Sequence, residues 1–132
     1  MSKQDVETAR AAFEAWNRGD YEGWIEAFDE EAEFFPMRAQ LEGRAYHGHD
    51  GLRRFIDEFF EEWEQIRFEV DEIREGEEYL AGFGRLRARG RASGVDLDVP
   101  LALVGAVRNS KIVYARFYAD RAGALEAAGL SE

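Results

Sequence analysis

The spacing of apolar residues along this chain changes character once, near residue 64. Before that point apolar positions recur every three to four residues, and after it they alternate. Val6, Ala9, Phe13 and Trp16 form one stripe at helical spacing and predict a first helix, with Ser2 and Asp5 spaced as a capping box. Gly19 is suited to end that helix. Asp20 is suited to cap a second, whose buried face reads Tyr21, Trp24, Ile25 and Phe28. Glu33-Phe34-Phe35 reads as a short strand stopped by Pro36. The segment from Met37 to Tyr46 has no period and carries Gly43, so it reads as a loop with room for one turn of helix.

Gly48-His49-Asp50-Gly51 opens a third helix with Leu52, Phe55, Ile56, Phe59 and Trp63 facing inward. Asp57, Glu58, Glu61 and Glu62 fall on its outward face. The period-two pattern then predicts strands at 65–75, 78–92, 95–108 and 111–119. Gly76-Glu77, Ser93-Gly94 and Asn109-Ser110 suit tight hairpins between them. A short terminal helix holds Leu125 and stops at Gly129. Three helices, a short strand and a four-strand antiparallel meander make an α+β domain. With no internal repeat or linker, residues 1–132 read as a single domain. Gly82, Gly84, Ala88 and Gly90 on one strand face would let a long sheet bend around the helices and leave a cavity.

Composition narrows the function. The chain has 132 residues and a formal net charge of -11, which argues against nucleic acid and anionic membranes as partners. No apolar run is long enough to span a membrane, and the N-terminus lacks a signal-like segment, so a cytoplasmic location is expected. The absence of cysteine removes disulfides and thiolate metal sites. His47 and His49 are the only histidines, and no third ligand sits at useful spacing, so no metal is expected. Charge is uneven: Arg85, Arg87, Arg89 and Arg91 form a period-two ladder. Four cations inside an apolar cone would be costly, so they are expected outside, facing acids such as Glu69 and Asp71 or a partner subunit.

The order of motifs carries a resemblance. Trp16-Asn17-Arg18-Gly19-Asp20-Tyr21, then Trp24, Phe28 and Phe34-Phe35, and finally Phe117-Tyr118-Ala119-Asp120-Arg121-Ala122 resemble the SnoaL-like branch of the nuclear transport factor 2-like superfamily over nearly the whole chain. The resemblance implies a cone-shaped, curved antiparallel sheet wrapped around three N-terminal helices, a cystatin-like α+β barrel. It further implies a homodimer formed through the sheet, a small hydrophobic carbonyl-containing ligand, and chemistry without a cofactor. Fold alone does not give function, since relatives include cyclases, isomerases and non-catalytic modules.

Candidate chemistry follows from that resemblance. Asp120 matches the position where polyketide cyclases keep a catalytic aspartate, and would act as acid/base; it could equally cap the terminal helix. Tyr118 and Arg116 share its face on a regular strand, where they could hold a carbonyl or enolate oxygen, or form an outward dimer face. His47 lies in the loop that borders the cavity in this family and could shuttle protons. Trp16, Phe35 and Phe59 are core residues that could line a flat apolar ligand. Three departures weigh against steroid-type isomerisation: Phe35, Ala12 and Val104 stand where ketosteroid isomerase keeps its aspartate base, its tyrosine and its second aspartate. The open readings are therefore a proton-transfer lyase or isomerase, a non-catalytic binding or dimerisation module, and an epoxide-type hydrolase drawing on Asp98, Arg116 and Asp120.

Overall fold

The computed structural model describes residues 3–131. Helix α1 spans Lys3–Asn17 and α2 spans Tyr21–Glu26; strand β1 (Phe28–Phe35), helix α3 (Met37–Leu41) and strand β2 (Tyr46–His47) lead into α4 (Gly48–Glu62). Four strands follow, β3 (Trp63–Glu75), β4 (Leu80–Gly90), β5 (Asp96–Arg108) and β6 (Lys111–Tyr118), and α5 (Arg121–Ala127) closes the described chain. The sheet has six strands in the order β2-β1-β6-β5-β4-β3, all antiparallel except the parallel pair β1 and β6. Its two edges do not meet, so the expected barrel is an open, curved sheet.

Gly19 takes φ 84°, a conformation that glycine adopts without steric cost, and the Asp20 side chain accepts a hydrogen bond from Gly23 N at 2.9 Å. The α1–α2 break thus forms as its residues dictate. Ser2 of the expected capping box lies outside the described residues. Asn109 and Ser110 both have positive φ, as a two-residue hairpin with the twist of its strands requires. The structure differs from the sequence reading in several places, among them Tyr46–His47, which form β2 where no strand was expected. Phe28 begins β1 instead of lying on α2, because Ile112 N donates to Ala27 O at 2.9 Å and draws the segment into the sheet. Trp63 begins β3 instead of ending α4.

Strand parity separates two apolar layers. Phe34, Phe68, Leu86, Leu103 and Phe117 face α1, α2 and α4 in the main core around Trp16, which is 1% exposed and donates from Nε1 to Ile66 O at 3.0 Å. The opposite parity carries Ala81, Phe83, Ala102 and Val104, covered by Ala124, Leu125 and Ala128 of α5. Arg85, Arg87 and Arg89 of the arginine ladder lie on this second, outer face, whereas Arg91 follows the end of β4 and bonds Phe60 O and Glu64. Arg85 pairs with Asp98 at 2.8 Å and Arg87 with Glu69 at 2.9 Å, both partly in solvent. Gly84 is required where β3 crosses it, since a Cβ there would sit 1.8 Å from Glu69 O, beside a register shift between Val70 and Glu72.

Candidate functional site

Between α3, β2, the second half of α4 and the inner sheet face lies an open cavity of about 420 Å³. That size is typical of a small-molecule site. Its apolar wall is built from Phe55, Phe59, Trp63, Phe68, Leu86 and Phe117, and Arg38, Glu42, Arg44, Glu58, Glu61 and Glu62 ring its rim.

Helical spacing explains the α4 wall: Phe55, Glu58, Phe59 and Glu62 stand three or four residues apart and share one side. At Trp63 the backbone turns extended and runs straight into β3. Gln65 adopts φ 53° where the β3–β4 register shifts between Glu64 and Arg67. Such a bulge re-aims neighbouring side chains, and here it lies next to Trp63 on the cavity wall. Helix α3 is fixed over the opening by Gln40, whose Nε2 donates to Phe35 O at 2.8 Å and to Phe117 O at 2.9 Å.

One polar pair stands out against the aromatic wall. The Tyr46 hydroxyl donates a short hydrogen bond to Glu58 Oε1. Tyr46 is 4% exposed, and burial, reinforced by that bond, pushes its phenol above the ordinary value near 10; the neighbouring Arg44 guanidinium opposes the shift. Arg44 and Arg54 each lie 5.6 Å from the centre of the Tyr46 ring. Arg44 in turn binds Glu42, which holds the Glu42 carboxyl below its usual range. A buried phenol beside a carboxylate offers a donor for a carbonyl oxygen and an acceptor for a proton.

Of the seven side chains expected at the site, the structure brings one, Phe59, to this cavity. Trp16 is enclosed in the core. Phe35 and Arg116 face the outer side of the sheet, the guanidinium 5.0 Å from the ring centre; Tyr118 shares that side and packs with the α5 layer. The pleat explains this: Phe34 and Phe117 take the inward parity, so Phe35, Arg116 and Tyr118 point away. His47 is exposed on β2 opposite Glu33. Asp120 is exposed at the N-cap of α5, where its side chain accepts from Gly123 N at 2.7 Å. Asp98, on the outer parity, is engaged by Arg85. Among the described residues, no three His, Asp or Glu side chains gather as metal ligands, and no helix is long and apolar enough to cross a membrane.

Sequence reasoning missed Tyr46, because it falls in an aperiodic segment; it set Glu58 on the outward face of its helix, where the residue is indeed exposed, without showing that this face borders the cavity. The inward parity of Phe68, Leu86 and Phe117, opposite to the arginine ladder, was the available signal for the sheet wall.

No curated protein sequence matches the chain. Solved structures do. An NTF2-like protein from Burkholderia pseudomallei superimposes with a TM-score of 0.80 at 23% identity, over 96% of this chain and 97% of that one. A protein with a ketosteroid isomerase-like fold from Catenulispora acidiphila, in complex with trimethylamine, gives 0.75 at 14% identity over 95% and 94%. A Mycobacterium tuberculosis protein in complex with estradiol-17β-hemisuccinate gives 0.77 at 14% over 90% and 95%. At such identities the likeness is one of fold. The sequence pattern of the SnoaL-like domain matches residues 9–115, from α1 into β6. With helices, sheet order and sequence pattern in agreement, the chain belongs to the SnoaL-like domain family.

Proposed function

We propose that this protein binds a small, hydrophobic, carbonyl-containing molecule in the aromatic cavity, with the carbonyl oxygen accepting from Tyr46. The observation that carries the reading is a buried phenol, Tyr46, hydrogen-bonded to the exposed carboxylate of Glu58 at the edge of a 420 Å³ aromatic cavity. Such a site supplies apolar area for affinity and one polar pair for orientation. Two relatives of the same fold hold small organic molecules, which is consistent with a ligand-holding cone. The test is a backbone-amide NMR titration with propiophenone. Shifts concentrated at Tyr46, Glu58, Phe59 and Trp63 are expected. Saturable shifts confined to the region of Asp120 and α5, or no shifts at millimolar ligand, would overturn the reading.

A catalytic version of the same reading has its own support. With a carbonyl on Tyr46, the Glu58 carboxylate is free to take a proton from the adjacent carbon and return it, and no cofactor is involved. In this reading Glu58 carries the acid/base role expected of Asp120, whose oxygen is engaged with Gly123 N as a helix cap. Deuterium exchange at the α-carbon of propiophenone, lost in Glu58→Gln, is the corresponding check. We further propose that two copies pair through the outer sheet face. Phe35, Tyr114, Arg116 and Tyr118 are half-buried there, and aromatic and arginine side chains are favoured at interfaces. Light scattering on the purified protein should return twice the chain mass of 15.1 kDa.

A further inference from the structure

Behind the cavity, deeper in the core, lies a second space of about 40 Å³ whose lining is almost wholly apolar. It is bounded by side chains such as Ala12, Phe13, Leu80, Leu103 and Ile112, from α1 and the inner sheet face. Two residues line both spaces: Phe68 and Phe117. Their rings meet edge to face, with centres 5.9 Å apart and planes at 86°. Phe68 stands opposite Leu86, which lines the outer cavity, and Phe117 opposite Leu103, which lines the inner space. The pair therefore forms a partition across the inner sheet face, not a packing flaw remote from the site.

We propose that Phe68 and Phe117 determine ligand length: they are the back wall against which the apolar end of a bound molecule stops, and the inner space is a subsite that shortening either ring opens. This rests on the proposed binding of a carbonyl-containing ligand and adds its shape, a polar head at Tyr46 and an apolar tail directed at the partition. Both rings are packed against other core aromatics, Phe117 against Phe34 at 5.7 Å and Phe68 against Trp16 at 5.0 Å. A ligand tail thus meets a supported wall, and added length has nowhere to go. An apolar void that excludes water is the kind of space that accepts a hydrocarbon group when one can reach it.

The experiment is a calorimetric titration of the full chain with straight-chain alkyl phenyl ketones, from acetophenone to octanophenone. Wild type should gain about fourfold in affinity per added methylene, the value of a buried CH₂, and then lose the gain abruptly at one length. Phe117→Leu and Phe68→Leu should move that break to a longer chain, and Phe117→Trp to a shorter one. A break at the same length in wild type and in every folded variant, or no break at all, overturns the partition while leaving the binding site intact. If no ketone binds wild type, the proposed function fails and the partition with it. Xenon under pressure gives a readout that needs no ketone: it should occupy the space beside Leu103 and Ile112 in wild type, and a space that stays empty of xenon also overturns the subsite.

Discussion

Tyr46 and Asp120 each place an oxygen beside a helix, and their partners give them different roles. Asp120 spends its carboxylate on Gly123 N at the start of α5. Asp120→Ala is expected to lower stability by about 1 kcal/mol, the usual worth of an N-cap, and denaturant unfolding would measure it. Tyr46 instead keeps its proton because burial and the bond to Glu58 favour the neutral phenol. Tyr114 is raised in the same direction, burial again coming first. A phenol whose pKa is higher in the folded state adds stability that is complete below the unfolded value near 10 and is lost as pH rises through the folded value. Unfolding midpoints followed between pH 8 and 12 should therefore fall above pH 10. Tyr46→Phe should fall less steeply, through Tyr114 alone. Equal slopes would show that the phenol–carboxylate pair contributes nothing.

At the scale of elements, the sheet depends on a few close approaches. Gly84→Ala would drive a Cβ to 1.8 Å from Glu69 O, so β3 and β4 must move apart at their bulge. A cost of about 2 kcal/mol or more is expected, as for overpacked cores, with the thermal midpoint as the measure. Leu125 is 3% exposed beneath α5, and Leu125→Ala should cost roughly 2–5 kcal/mol without weakening ligand binding, since it packs on the face away from the cavity. Elements with a local cause were legible in the sequence. Gly19 and Asp20 set the α1–α2 break, and Asn109-Ser110 set the last hairpin, because a positive φ and a side-chain cap are properties of a few adjacent residues. Elements with a distant cause were not. Helix α3 is held by Gln40 to carbonyls of Phe35 and Phe117, and Phe28 joins β1 because Ile112 bonds Ala27. No spacing rule sees contacts across such separations.

Across the whole molecule, one sheet serves two layers, and parity decides which residues meet the aromatic cavity. The sequence identified the alternation in β4 and β6 correctly, and it set Arg85, Arg87 and Arg89 on the outer face, while Arg91 turns back onto the end of α4. It did not show which parity of β6 looks inward, because Tyr114, Arg116 and Tyr118 are as amphipathic as an interior site would need. The layer covered by α5 on that outer face explains why Tyr114 and Tyr118 are half-buried without reaching the cavity, and Arg116 lies there over the Phe35 ring. The candidate site therefore lies at the mouth formed by β2, α3 and α4 and not at the end of β6. Trp63 reports on that mouth directly, since Trp16 and Trp24 lie in the core and only Trp63 lines the cavity. The most direct test titrates propiophenone against wild type, Tyr46→Phe and Asp120→Asn, following Trp63 fluorescence with Trp63→Phe as control. Tyr46→Phe should bind about fivefold more weakly, the worth of one hydrogen bond, while Asp120→Asn binds as wild type does. Loss of binding in Asp120→Asn, with Tyr46→Phe unaffected, would contradict the account.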